Sequence, residues 1–568
     1  MAPALLRLRP GVRLPFRPND ELRAAPDTTD KTGGTGRTGE AGTTGARPIA
    51  IETEGLARRL ERVPVPAGNY SGLTMNAEAL FMVSGESGPN ANSHLVAVKI
   101  TNRNPKTEQV VEDIRSYEMS QDGKKLLVRK GTDLYVIDAK ASKATLTDAR
   151  VDLRGWTFPI DVRDDWRQIF VDAWRLERDY FYDPDMHGVD WDAQLAKYLP
   201  LVDRITTRDE LSDLIGWFVG ELSALHTSVR GGDLRTGDDN VRVAGLGARL
   251  TRDPDAGGYR IEYVYQSDPD YPDEMSPLAD PTLGIGAGDL ITAVNGAGVL
   301  DAPDIGALLR NQEGRQVLLT VRSGDASRDV IVVPTANEFG LRYADWEYTR
   351  RLAVEEKSGG KIGYVHLRNM GGDDITTWYR DFYPVFDRQG LIVDVRHNGG
   401  GNIDAFILEK LLRKAWMYWK GRVGQETWNM HYAFRGHMVV LVDQRTASDG
   451  EAFAEGFRRL GLGVVIGMRT WGGEIWLSSS NTLSDRGIAR APMTGVYGPE
   501  GEWLIEQLGV IPDIEVDNLP HATFNGSDAQ LDAAVDHLLQ KIAEDPRTVP
   551  PAPAYPNRRF DYPVTGRQ

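Results

Sequence analysis

The chain has 568 residues, 41% apolar and 26% charged, with a net charge of −16 and no cysteine. The missing thiols exclude a cysteine nucleophile, a thiolate metal site and a disulfide scaffold. The acidity is spread along the chain without a basic stripe, which excludes nucleic acid as a partner. No apolar run approaches the roughly 18 residues that span a bilayer. The start, MAPALLRLRPGVRLPF, holds only the apolar triplet Ala4-Leu5-Leu6, whereas an export signal needs about 7–15 apolar residues. The sequence therefore reads as cytoplasmic, with no membrane partner.

A length of this order predicts about four domains. Residues 1–47 read as an irregular, flexible segment. Within it, 26–47 are nearly all Gly, Thr and charge and cannot bury enough apolar surface to offset their ordering entropy. From 48 to 155, short apolar strands (94–98, 125–128, 134–137) alternate with polar turns such as Lys130-Gly131-Thr132. This resembles one or two blades of a β-propeller, a fold that needs about four to eight blades to close. The chain is accordingly expected to begin partway through a larger domain.

Residues 156–236 change to helical spacing, with Trp166, Phe170, Trp174, Leu176, Tyr180 and Phe181 read as a packed core face. A second helix over 209–222 leads into Ser223-Ala224-Leu225-His226-Thr227-Ser228. Residues 237–337 form a β-rich unit with Gly245-Leu246-Gly247 before a strand, then Gly288-Asp289-Leu290-Ile291, Val294-Asn295-Gly296, a helix over 302–310 and a strand over 317–321. That order resembles a PDZ domain, whose Gly-Leu-Gly loop offers backbone N–H groups to a peptide carboxylate. Over 338–545, continuous apolar runs at 362–367, 390–395, 438–442 and 464–466 read as strands buried on both faces. Helices are expected at 376–386, 404–414, 450–459 and 527–544, which makes an α/β layer. The tail, 546–568, is Pro-rich and reads as loose.

Two turns in the α/β region carry chemistry. Thr446-Ala447-Ser448-Asp449-Gly450 follows a buried strand and opens a helix, which exposes Ser448 at a helix N-terminus with free N–H groups. A plain N-cap serine is the alternative. Arg396-His397-Asn398-Gly399-Gly400-Gly401 also follows a strand directly. Three consecutive glycines are costly unless the backbone approaches something closely. A phosphate loop would need Lys-Ser/Thr where Asn402-Ile403-Asp404 stands, so an oxyanion donor is the favoured reading.

The segments Val393-Asp394-Val395-Arg396, Asn398-Gly399-Gly400-Gly401, Ala447-Ser448-Asp449-Gly450-Glu451 and Arg469-Thr470-Trp471-Gly472-Gly473 together resemble the tricorn peptidases. These are a branch of the tail-specific serine peptidases. The resemblance covers about 50 to 540 and implies a multidomain α/β and β protein. Its parts are a partial β-propeller-like N-terminal segment, a helical unit, a PDZ-like domain and an α/β catalytic domain, as in a shortened member lacking most of the propeller region.

The resemblance implies Ser448 as nucleophile, with the N–H groups of Gly401 and Asp449 as oxyanion donors. A nearby Ser–Lys dyad is excluded, because no lysine occurs between Lys420 and Lys541. His226 matches the family's base, with His397 and His431 as competitors. Glu506, before Gly509-Val510-Ile511-Pro512-Asp513, matches the carboxylate that orients it. Two positions depart from the family pattern. Leu225 stands where a serine precedes the histidine, and Trp419 stands where an acidic residue selects basic side chains, which suggests an apolar substrate residue instead. The implied activity is endopeptidase action on peptides or unfolded chains. No metal or organic cofactor is implied, and self-association follows only from the family. The alternative is a catalytically weak, PDZ-bearing homologue that binds peptides.

Overall fold

The computed structural model describes residues 3–8, 16, 51–87, 91–234, 237, 239–336, 338–477 and 481–560. The chain divides into two units, Met1–Pro159 and Ile160–Gln568. Most of 1–47, including 26–47, lies outside the described residues. No helix among the described residues is long and apolar enough to cross a membrane.

In the first unit, strand β1 (Ala4–Leu6) pairs with β2 (Leu60–Arg62), so part of the segment expected to be irregular is held by backbone pairing. An antiparallel sheet follows, formed by β3 (Asn69–Met75), β4 (Ala79–Gly85), β5 (Ser93–Lys99) and β6 (Thr107–Val111). A second is formed by β7 (Ser116–Met119), β8 (Lys125–Lys130) and β9 (Asp133–Asp138). Phe81, Leu95, Val110, Leu126, Val128 and Ile137 from both sheets share one apolar cluster. Four-stranded antiparallel sheets are what propeller blades are made of, and this part is propeller-like.

The second unit opens with helices α1 (Val162–Tyr180), α2 (Trp191–Tyr198) and α3 (Arg208–Gly220). Asp161 caps α1, and Thr207 with Glu210 forms a capping box on α3. Phe170 and Phe181 are buried, and Trp166, Trp174 and Leu176 pack partly against them. Tyr180 points to solvent, one step off the apolar stripe. Strand β10 (Ser228–Arg230) comes next, followed by a sheet of β11 (Ala248–Asp253), β12 (Gly258–Val264), β13 (Leu290–Val294) with its short partner β14 (Ala297–Gly298), β15 (Val317–Ser323) and β16 (Ala326–Val332). Helix α4 (Ile305–Leu308) lies over it and is shorter than the spacing predicts.

After the long helix α5 (Glu338–Ser358), strand β17 (Ile362–His366), α6 (Gly372–Phe382), β18 (Gly390–Asp394) and α7 (Asp404–Leu411) succeed one another. Helix α6 sits four residues upstream of the expected 376–386, because Asp374 accepts the Gly371 N–H at 2.9 Å and starts it early. A hairpin of β19 (Tyr418–Trp419) and β20 (Thr427–Trp428) precedes β21 (His437–Val442), α8 (Asp449–Arg459) and β22 (Gly463–Gly467). Strands β23 (Trp476–Leu477), β24 (Ile488–Arg490), β25 (Pro492–Thr494) and β26 (Ile514–Glu515), then helices α9 (Pro520–Phe524) and α10 (Ala529–Glu544), complete the fold.

The core is a parallel sheet ordered β17-β18-β21-β22-β26. Strand alternation explains its two sides. Leu391, Val393, Val440 and Val442 face Trp378, Phe382, Ile407, Phe453 and Phe457 of α6, α7 and α8. Ile392, Val439 and Leu441 face Val354 of α5 and Leu531 and Leu538 of α10. Because β18 and β21 are neighbours in parallel register, the glycine loop and the Ser448 turn emerge side by side. Carboxyl ends of parallel strands are where such sheets place their ligands.

Candidate active site

The turn after β21 is drawn tight by Thr446, fully buried, whose hydroxyl donates to the Val395 carbonyl at 2.8 Å and accepts from the Asp443 N–H at 3.0 Å. Ser448 then takes φ 54° and ψ −128° as the N-cap of α8. Positive φ strains a non-glycine residue by about 1–3 kcal/mol and is kept only where surroundings over-determine it. The Ser448 side chain makes no capping hydrogen bond. Glu451 instead accepts the Ser448 N–H at 2.9 Å.

The glycine loop lies against that turn. Asn398, fully buried, donates to the Leu367 carbonyl at 2.8 Å and accepts from the Gly400 N–H at 2.8 Å. Its own carbonyl takes the Ala447 N–H at 2.9 Å. Gly400 has φ 88°, and a Cβ there would lie 2.5 Å from the Ser448 Cβ and 2.9 Å from its hydroxyl. The glycine run is therefore a close approach to serine, not a plain tight turn. Neither the Gly401 nor the Asp449 N–H has a hydrogen-bond partner among the described residues.

The Asp449 carboxylate closes the join from below. Its Oδ2 accepts from the N–H groups of Ile403 at 2.6 Å and Asp404 at 3.1 Å, at the start of α7. Burial and the neighbouring Asp404 push its pKa up to about 7.

Glu451 is a second clamp and is fully buried. Besides Ser448, it accepts from the Thr470 hydroxyl at 2.5 Å, the Gly472 N–H at 2.6 Å and the Gly473 N–H at 3.1 Å. Burial pushes its carboxyl up while these donors oppose the rise. The Arg469–Gly473 motif thereby gains a physical reason: its N–H groups are bonded to the helix that starts at serine. A sequence signal for Glu451 existed in the Ser-x-x-Glu spacing of a capping box.

His226 enters from the loop between α3 and β10, which β24 holds through the pairs Ser228–Arg490 and Arg230–Ile488. Its ring stands edge-on to Trp471, with centroids 5.8 Å apart, and the Trp471 N–H is bound by the Thr446 carbonyl at 3.0 Å. Nδ1 is enclosed without a completed hydrogen bond. Burial lowers the pKa of the ring, against the opposing pull of the Ile475 backbone and Glu506. Burial thus favours the neutral imidazole, the form a base requires.

Glu506 lies between two positive-φ residues, Ile505 and Gln507. Its Oε1 accepts the Leu225 N–H at 2.7 Å, and its Oε2 accepts those of Glu474 at 2.8 Å and Ile475 at 3.2 Å. Its hydrogen bonds therefore reach the main chain beside His226, and its charge acts on the ring electrostatically.

The competing histidines fall elsewhere. His397 pairs with Asp443, Nδ1 to Oδ2 at 2.7 Å, and its ring lies tilted by 56° beside that of Trp346 at 5.3 Å. Burial would raise Asp443, but the His397 pairing holds its carboxyl down at about 2. His431 is exposed and lies 5.5 Å from the Trp419 ring. Trp419 itself sits on the β19–β20 hairpin, and no ring contact or hydrogen bond among the described residues joins it to the Ser448 turn.

In the loop Gly245-Leu246-Gly247, the Gly245 N–H is already bonded to the Thr335 carbonyl at 2.7 Å. The Leu246 side chain is buried, and the Gly247 carbonyl accepts from the Ser276 hydroxyl at 2.7 Å. Only the Leu246 and Gly247 N–H groups are without partners there, among the described residues.

Comparisons with known proteins identify the family of the chain. Residues 162–220 match the model of the tricorn protease C1 domain, 244–337 the tricorn protease PDZ domain, and 361–516 peptidase family S41. Tricorn protease homolog 1 of Streptomyces coelicolor is 35% identical over 522 residues, covering 88% of this chain and 48% of the relative. The tricorn protease homolog of Saccharolobus solfataricus is 32% identical over 445 residues, covering 77% and 41%. The crystal structure of the tricorn protease superposes with a TM-score of 0.81 at 26% identity, over 95% of this chain and 51% of that one. The chain spans about half the length of these relatives. With three domain types matched in one order and the same architecture over nearly its whole length, the chain belongs to the tricorn protease family, within peptidase family S41.

Proposed function

We propose that this chain is a serine endopeptidase acting by acyl transfer on peptides or unfolded polypeptides. The Ser448 hydroxyl oxygen attacks the scissile carbonyl carbon while His226 takes its proton. The carbonyl oxygen becomes an oxyanion, held by the N–H groups of Gly401 and Asp449 at the positive end of α8. Collapse breaks the C–N bond, and His226 returns the proton to the leaving amine. Water then attacks the acyl ester with His226 again as base and frees Ser448. Glu506 stabilises the imidazolium and fixes its loop.

The observation that carries this reading is the pair of N–H groups, unpartnered among the described residues, flanking a strained serine packed on Gly400. The Leu246 and Gly247 N–H groups are assigned to a substrate's terminal carboxylate, and Trp419 to an apolar substrate pocket. The peptide-binding alternative rests on Leu225 and on the small number of propeller blades; the bond from the Leu225 main-chain N–H to Glu506, which any side chain at 225 leaves in place, supports the enzymatic reading.

A fluorophosphonate probe on the full chain tests the proposal. Ser448 labels, and Ser448→Ala abolishes labelling while leaving the thermal midpoint within the wild-type range. Absence of Ser448-dependent labelling in a folded chain would sink the enzymatic reading.

A further inference from the structure

One buried acid near the site has no part in the relay. Glu474 is 1% exposed, between Gly473, whose N–H Glu451 holds, and Ile475, whose N–H Glu506 holds. Its Oε1 accepts the Trp476 indole N–H at 3.0 Å, and its Oε2 is enclosed without a partner. The charges that face it are all negative: Glu451 and Asp449 from α8, and Asp404 from α7. Glu506 holds its main-chain N–H. The backbone of Ile475, the next residue, interacts with His226, on which the Arg490 charge also acts. A buried carboxylate with one donor and three acidic neighbours cannot stay ionised at modest cost.

We propose that Glu474 is a positioning residue that works as a neutral acid, seating the 472–475 strap between the Ser448 clamp and the Glu506 anchor only while it keeps its proton. Burial, with the charges of Glu451, Asp449 and Asp404, pushes its pKa up to about 9. Ionisation would set a fourth negative charge against Glu451 and Asp449 and drive the side chain toward water. Glu451 would then lose its hold on Gly472 and Gly473, and Glu506 on the segment beside His226. Both halves of the proposed machinery depend on this one strap, so loss of the proton disables the serine without touching it. The inference rests on the peptidase reading above.

For a carboxyl whose folded-state pKa is raised, folded stability is greatest below the unfolded value and falls as pH rises toward the folded value. That window here runs from the ordinary carboxyl value of 4.5 to about 9.

The test uses the full chain, with fluorophosphonate labelling of Ser448 and thermal unfolding measured from pH 5.5 to 9.5. Glu474→Ala slows labelling by about tenfold or more, and Glu474→Gln, a neutral isostere that still accepts from Trp476, restores it. Labelling of the wild type declines toward pH 9, and the Gln variant lacks that decline. The Tm of Glu474→Gln minus that of the wild type grows steadily with pH. A Tm difference that does not change with pH overturns the neutral acid, whatever the labelling does. A shared alkaline decline in wild type and Gln variant overturns the positioning role. If the folded wild type does not label at any pH, the peptidase reading fails and takes the positioning role with it. The Tm series still separates that outcome from a failure of the protonation itself.

Discussion

At position 225 the family resemblance implies a serine beside the proposed base where this chain has leucine, and hydrogen bonding there decides how much that matters. Glu506 takes the Leu225 main-chain N–H at 2.7 Å, and the leucine side chain, 41% exposed, lies against Gly472 and solvent. A hydroxyl at 225 would add one polar group to a carboxylate that already accepts three N–H groups. Leu225→Ser is therefore expected to change the labelling rate of Ser448 by less than about threefold, while Glu506→Ala slows it by about 10²-fold or more. Labelling kinetics of the two variants check this; a large gain from serine would mean that the side chain, not the main chain, carries the relay. At this scale the local motifs were informative. Ser448 and the glycine loop each sit in a recognisable turn, whereas His226 is singled out only by the family resemblance. Glu474 has neither signal: nothing in Gly-Gly-Glu-Ile announces burial, because burial depends on chain segments far away in sequence.

Strand β18 shows how an element holds the glycine loop in place. Arg396, just beyond its end, is 2% exposed and bridges Asp394 at 2.7 Å and Asp528 at 2.8 Å. Gln530 also accepts from it at 3.2 Å, and its guanidinium lies 5.2 Å from the Trp346 ring centroid. The Tyr364 hydroxyl donates to Asp394 at 2.9 Å. Strand end, neighbouring strand and the N-terminus of α10 are thus locked two residues before Asn398. Removing the cation leaves the buried Asp394 without a guanidinium, whereas Asp528 keeps Arg350 at 3.0 Å. Arg396→Met should destabilise the folded chain by about 3–5 kcal/mol, read as a lowered denaturant midpoint. An unchanged midpoint would show that the network is not what secures the loop. The apolar runs identified the four main strands of this sheet correctly, since a parallel strand covered on both faces needs an uninterrupted apolar run. Helix α6 was displaced because its start is set by Asp374 and Gly371, not by the apolar period.

Across the whole second unit, the proposed machinery is drawn from three regions: the loop after α3, two adjacent strand ends, and the straps at 469–475 and 505–507. The aromatic character of the hairpin bearing Trp419, with Trp416 nearby and 69% exposed, sets the expectation for substrates. A peptide library on the full chain should show cleavage after large apolar residues in preference to Lys or Arg by about tenfold. Preferential cleavage after basic residues would remove Trp419 from the pocket.

The main strands of the parallel sheet, the two glycine- and serine-bearing turns, the lack of lysine between Lys420 and Lys541 and the family resemblance were legible in the sequence, because each is written in neighbouring residues. Tertiary structure alone decided which groups Glu451 and Glu506 bind, that Gly245 is already paired with Thr335, and that Glu474 is enclosed among carboxylates. Those are contacts between segments up to 281 residues apart, as for Leu225 and Glu506. Burial and hydrogen-bond partners at such separations follow from how the sheets and helices close on one another, and no local pattern encodes them.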